Sequence, residues 1–228
     1  MMKVHVTVAW AIKERIGNEW VTILEKFNLL TTYGLTAFAA APSGGYVAPV
    51  YLIIEQTKTT LVSSYIAGVS SIQTVADPTI GGDNQLVLGV GQVGQETVTY
   101  SSKTGSGPYT FTLTAPTINP HTSGDFVCRA VRSADTLASV VSEAQYDPTY
   151  AAGKRVAQTA FYSPATGQNT MQFFIAGIQA TSIYFSHVGL ADSPTIGAGN
   201  LHNYAAFGYN HNNTNDVEID VTWALTTS

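Results

Sequence analysis

The sequence predicts an all-β fold, an antiparallel β-sandwich or barrel-like structure with one or two short helices. Three observations predict it. Apolar residues alternate with polar ones in runs of strand length. Turn residues separate those runs at short intervals. The polar share of the chain is mostly threonine, serine, glycine and asparagine: charged residues make up 11%, against about a quarter in an average soluble domain.

VHVTVAW opens the pattern, with Val4, Val6, Val8 and Trp10 on one face. Gly17 and Asn18 separate it from EWVTILEKF, so a hairpin is expected. In LLTTYGLTAFAAA, Leu30, Tyr33, Ala37 and Ala40 stand at helical spacing, which predicts one short helix ended by PSGG. YVAPVYLIIEQ reads as a strand in which Pro49 marks an edge or a bulge. VSSIQTVADPTIGG reads mostly as loop, and LVLGVG as a short strand. ETVTYSS and PYTFTLTAP flank KTGSGP, whose glycines at 105 and 107 suit a tight connection, so a hairpin is expected over 96–114. DFVCRAV is a further short strand, and a helical turn is expected around Leu137 to Glu143. VAQTAFY, TMQFFIAG and TSIYFSHVGL continue the strands. VEIDVTWAL places Val217, Ile219, Val221, Trp223 and Leu225 on one face, with Glu218, Asp220 and Thr222 on the other. Truncation of Trp223 at a buried site is expected to cost about 3 to 5 kcal/mol. The reading is of a single domain over 1–228, with a weak change of texture near 115–135.

A chain of 228 residues buries roughly 70% of its unfolded surface, enough for a core without disulfides or metals. Its formal net charge is -5 with 10 scattered basic residues, which argues against direct nucleic-acid binding. A surface with so little charge offers weak repulsion between copies, so self-association is expected. The single cysteine, Cys128, excludes an intrachain disulfide and reads as a small buried hydrophobe. MMKVHVTVAW has no secretory pattern, and no apolar run reaches the roughly eighteen residues of a membrane helix. Membrane insertion is not expected.

The stretch HNYAAFGYNHNNTND, His202 to Asp216, holds two histidines and five asparagines and invites a metal-site reading. No two histidines of the chain stand at the i, i+2 or i, i+4 spacing that seeds a zinc site. His202 and His211 are expected as loop or surface residues, and the stretch as a strand, a loop and a returning strand in one hairpin, with Leu201, Asn203, Ala205, Phe207 and Tyr209 on one face. Glu218 and Asp220 lie roughly 6.5 to 7 Å apart on a strand face, the spacing of paired glycosidase carboxylates, but a solvated strand gives that spacing without catalysis. GVGQVGQE resembles a dinucleotide loop, yet a strand pattern follows it. Asp77 and Asp83 in ADPTIGGDN, or Asp216 in NHNNTND, offer carboxylates to calcium without the EF-hand order. No cofactor or catalytic residue is assigned.

Two segments carry a family resemblance. KFNLLTTYGLTAF, residues 26–38, and HVGLADSPTIGAGNLHNYAAFGYNHNNTNDVEIDVTWALTT, residues 187–227, are similar to the opening and close of small tail-associated structural proteins of tailed bacteriophages. The resemblance covers about a quarter of the chain and leaves the central region unassigned. It implies a non-enzymatic virion component, repeated around a symmetry axis in a tail, baseplate or fibre attachment, made in the host cytoplasm and partnered by its own copies and other virion proteins. A capsid-surface decoration role is the neighbouring alternative. A second alternative is a carbohydrate-binding, receptor-recognition module touching host-surface glycan, and a third is a glycan-degrading enzyme. The residues expected at an interface or ligand contact are Trp20, Tyr204, Tyr209, His211 and Asn212.

Overall fold

Alternation in the sequence becomes strand pairing throughout the computed structural model, which describes residues 4–31, 34, 36, 49–56, 59–140, 142–143, 155–165, 168–177 and 183–227. In chain order the strands are β1 (Val4–Ile16), β2 (Glu19–Leu30), β3 (Tyr51–Glu55), β4 (Thr59–Thr60), β5 (Ser71–Thr74), β6 (Gln85–Leu88), β7 (Glu96–Thr104) and β8 (Tyr109–Leu113). They continue with β9 (Phe126–Arg129), β10 (Val156–Ala157), β11 (Ala160–Tyr162), β12 (Gln168–Ile175), β13 (Ile183–Ala191), β14 (Leu201–His211) and β15 (Val217–Thr227). A 3-10 turn, Leu137–Ser139, stands where the helical turn is expected. The fold is all-β, and every strand pair among the described residues is antiparallel.

Nine strands form the larger sheet, in the order β10-β3-β13-β14-β2-β1-β15-β12-β11. Its two ends are joined by one bent stretch of chain. Val156 pairs with Leu52 of β3, and Ala160 pairs with Gln172 of β12. Between them, Gln158 N donates to Val50 O and Thr159 N to Gln172 O. The sheet therefore curls until its edges meet, and a barrel exposes no long free edge there. Its interior is built by the predicted alternation: Val8, Trp10 and Ile12 of β1, Phe173 of β12, Phe207 of β14, and Val217, Ile219 and Val221 of β15 are all buried in one cluster. Trp223 is only partly buried against it, and the Leu225 side chain lies outside the described residues.

The chain leaves this barrel after Glu55 and returns at Val156, having built a second sheet of six strands in the order β4-β9-β6-β7-β8-β5. A bridge between Leu61 and Thr74 draws its two edges together into a nearly closed small barrel. Leu61, Ile72, Leu86, Leu88, Val98, Phe111, Leu113 and Val127 fill it. The expected 96–114 hairpin is its β7–β8 pair, with Thr104 opposite Thr110.

The small barrel packs on the outside of β13 and β14. Phe126 meets Tyr184 at 4.3 Å between ring centroids, and Val87, Val90, Cys128 and Ala130 pack beside Ala206. Cys128 is buried there as the small hydrophobe expected, and burial pushes its thiol pKa far up. The dinucleotide lookalike GVGQVG is the docking loop. A Cβ on Gly91 would stand 2.2 Å from the Gly208 carbonyl oxygen, and one on Gly208 would stand 2.3 Å from Val90 Cγ1. Glycine at both positions lets two backbones meet.

Several expectations are corrected. β14 and β15 do not form a hairpin: β2 and β1 lie between them in the sheet. The β1–β2 ribbon offers two free edges, and β15 runs along one, from Val4↔Thr227 to Glu14↔Val217, while β14 meets the other. β14 also lacks one solvent-facing side, because the small barrel and Val131, Leu137 and Val140 cover what would be its outer face. The segment read as loop contains β5, which pairs with β8 from Ser71↔Thr112 to Thr74↔Tyr109. Pro49 immediately precedes β3 without making it an edge, since β10 and β13 flank that strand. In the expected helix, Leu29 and Leu30 belong to β2, Gly34 and Thr36 are helical, and Thr32, Tyr33, Leu35 and residues 37–41 lie outside the described residues.

Candidate assembly surface at the β1–β2 hairpin

The first hairpin is longer than the barrel it belongs to. Its inward residues Val8, Trp10 and Ile12 are buried, but from Arg15 to Ile23 every residue is exposed. Ile16 and Ile23 keep 52% and 42% of their surface, and Trp20 and Val21 keep 38% and 39%. Register shifts between Ile12 and Lys13, so that Lys13 pairs with Thr22 and Ile12 with Leu24. The unpaired Ile23 is the extra residue of a bulge, which re-aims a side chain outward. Trp20 sets its ring edge-on to the exposed Phe174 of β12, at 6.4 Å and 89°. β14 bonds to β2 only at Asn203↔Leu30 and Tyr204↔Leu29. From Glu19 to Ile23 the far edge of β2 thus has no strand beside it among the described residues, and its apolar side chains Trp20, Val21 and Ile23 are exposed.

Glu14, buried at the base of this arm, explains the asparagine-rich stretch. Its carboxylate accepts from the Tyr209 hydroxyl, from Asn213 Nδ2 at 3.0 Å and from Asn215 Nδ2 at 2.9 Å. Asn215 N in turn donates to Asn213 Oδ1 at 2.8 Å, a local turn of the kind asparagine favours. His211 Nε2 donates to the Asn215 carbonyl at 3.1 Å, and Asp216 accepts from Gly177 N at 2.9 Å. The loop thus packs against the base of the arm, and Asn213 and Asn215, with Tyr209 of β14, satisfy one buried carboxylate.

Of the residues expected at a contact surface, Trp20 and Asn212 are exposed, while Tyr204, Tyr209 and His211 are buried. His202, expected in a loop or at the surface, is buried as well. The Tyr204 ring stacks on His187 at 5.1 Å and lies 5.2 Å from the Arg129 guanidinium. Tyr209 packs on Phe185 at 5.4 Å. The causes differ: Tyr204 is covered from outside by Val131, Leu137 and Val140, whereas Tyr209 faces into the larger barrel beside Phe185 and Phe207, and His211 lies next to it against the Asn215 carbonyl. Ile16, Val21, Ile23 and Phe174 were missed. The available signal was EWVTILEKF itself, whose apolar residues fall on both strand faces.

Glu218 and Asp220 are not on a solvated face. Lys13 on the adjacent strand bridges them, at 3.1 Å to Glu218 Oε1 and 2.5 Å to Asp220 Oδ2, and Gln172 Nε2 donates to Asp220 Oδ1 at 3.2 Å. Burial alone would lower the Lys13 pKa, but its bonds to Asp220 and Glu218 outweigh that and raise it. A hollow of about 210 Å³ opens beside this cluster, floored by Ala9 and Ala11 and walled by Lys13, Glu25, Lys26 and Asp220. The loop carboxylates considered for calcium are also engaged, Asp77 by Lys103 and Asp83 by Arg132. Among the described residues no cluster of histidine, cysteine and carboxylate side chains converges as a metal site.

Between the two barrels lies a buried polar seam. His187 Nε2 donates to the Arg129 carbonyl at 3.0 Å, and its Nδ1 faces Ser186 Oγ and Glu55 Oε2, each at 3.3 Å. Serine and carboxylate approach the same ring nitrogen while the other is committed to backbone, so the set is not a nucleophile–base relay. Burial holds the His187 pKa below its usual value despite the pull of Glu55, and burial likewise lowers that of His202 despite the bond its Nε2 donates to Asp192. With folded pKa values depressed, the unfolded chain binds more protons, so this stability is complete above about pH 6.5 and falls as pH drops through that value. The melting temperature is expected to decline between pH 7.5 and pH 5.5, with a shallower decline in His187→Gln. A flat wild-type profile over that interval would remove the seam from the account.

Comparison of the chain with protein-family models, with curated proteins and with solved structures finds no match.

Proposed function

We propose that the chain is a non-enzymatic structural component of a bacteriophage tail or adsorption apparatus, present in repeated copies within the virion and contributing to particle assembly. The observation that carries this reading is the projecting arm: a ribbon anchored by a buried core at one end presents, at the other, apolar side chains and an edge with no strand beside it among the described residues. Exposed contiguous apolar surface of this kind marks an interaction site. The low charge of the chain suits interfaces between many copies, and the similarity of residues 26–38 and 187–227 to tail-associated proteins supplies the particle. The glycan-binding alternative has lost Tyr204 and Tyr209 as stacking surfaces and retains only Trp20.

The test is to purify particles from cells carrying the parent genome, identify their proteins by mass spectrometry and locate this chain by labelling and imaging. Copies at the tail or baseplate are the expected result. A position on the head favours the decoration alternative, and absence from the particle overturns the reading.

A further inference from the structure

We infer that the free edge of β2, from Glu19 to Ile23, is a self-docking strand that pairs antiparallel with the same edge of a second copy, centred on Val21. The inference takes up the assembly reading above and names the partner and the surface.

The argument starts from the backbone. A strand with one edge bonded to β1 and no strand on the other among the described residues presents a row of amide and carbonyl groups that another strand can satisfy. Edge strands ordinarily escape this by charge, proline or cover. Here Glu19 is the only charged residue of the five, proline is absent, and all five residues are exposed. Trp20, Val21 and Ile23 instead add apolar surface, which Ile16 and Phe174 extend across the neighbouring strands.

Self-pairing is favoured over a foreign strand by symmetry and charge. A twofold axis perpendicular to a paired sheet passes between a residue and its own copy, and Val21 is the midpoint of the exposed stretch. That register sets Val21 opposite Val21, Trp20 opposite Thr22 and Glu19 opposite Ile23, with no like charges face to face. The two Glu19 residues then stand about 13 Å apart along the strands, beyond the screening length at physiological salt. Arg15 on the adjacent strand is ion-paired with Asp216 at 3.8 Å, so each pairing edge carries the one charge of Glu19, too far from its copy to oppose docking.

The test uses the full chain. Wild type is expected to sediment as a dimer or larger species at about 100 μM, and Val21→Lys, an exposed change, to weaken association by about tenfold or more. Val21→Cys provides the second readout. Directly opposed residues of an antiparallel pair lie within disulfide range, and Cys128, the natural cysteine, is buried. Mild oxidation is expected to link Val21→Cys into a dimer faster than Ile118→Cys on the small barrel, even though Ile118 is the more exposed of the two, at 80% against 39%. Monomeric wild type, or cross-linking no faster than the control, overturns the inference. If the chain is nevertheless found in particles, the self-docking edge alone has failed and the structural role stands.

Discussion

Trp10→Ala is expected to lower the unfolding free energy by about 3 to 5 kcal/mol, the largest loss expected of any apolar truncation among the described residues. Trp10 has no exposed surface and is among the largest fully buried side chains. Its ring meets Phe207 edge-on at 6.1 Å, and its Nε1 donates to Asn203 Oδ1 at 3.2 Å. Alanine would leave a cavity in the barrel interior where Trp10 of β1 meets Phe207 of β14, one strand away, and would strip a buried acceptor of its donor. The two penalties act together. Trp223→Ala, by contrast, is expected to cost only about 1 to 2 kcal/mol, because its ring is partly exposed at the margin of the same core. Denaturant midpoints at constant slope measure both. Equal losses for the two tryptophans would contradict the placement of Trp10 at the centre.

Asp135→Ala is expected to cost a comparable amount, about 3 to 5 kcal/mol, by a different route. Asp135 Oδ2 accepts from Arg129 Nη1 at 2.8 Å and from Arg132 N at 2.9 Å, and its Oδ1 accepts from Arg132 Nε at 3.2 Å. Arg129 is fully buried, with further bonds to the carbonyls of Ser139 at 3.0 Å and Ala130 at 3.3 Å. Removing the carboxylate leaves a guanidinium charge in a dry seam with carbonyl partners only. The double change Arg129→Met with Asp135→Leu is expected to recover part of the loss, since an apolar pair of similar size avoids the unpaired charge. If Asp135→Ala alone leaves the midpoint unchanged, Arg129 is not held by that carboxylate.

Legibility in the sequence followed how local the cause was. β1, β2, the β7–β8 hairpin and β15 were readable because period-2 alternation and adjacent glycines are written within a few residues of one another. The inward set Val217, Ile219 and Val221 came out as read. β4, with two residues, and β5, with four, were not readable, since so short a run has no measurable period and forms only because β9 and β8 offer edges. At the candidate site, Trp20 was named from the sequence. Tyr204 escapes such a reading because chain from outside the strand covers its expected solvent face, and Tyr209 and His211 because their face of β14 closes into the larger barrel, with the 212–216 loop beneath them.

The sequence by itself determined the all-β class, most strand positions, the hydrophobic role of Cys128 and the polar character of the 212–216 loop, because each depends on local alternation, turn chemistry or residue type. Tertiary structure alone decided that β1 and β2 separate β14 from β15, that the edges of the larger sheet meet through β10 and β11, and that Glu14 gathers the asparagines. It also decided which apolar residues stay outside. Burial is a property of what arrives from elsewhere in the chain, and alternation on one strand states which residues share a face without stating whether anything will cover it.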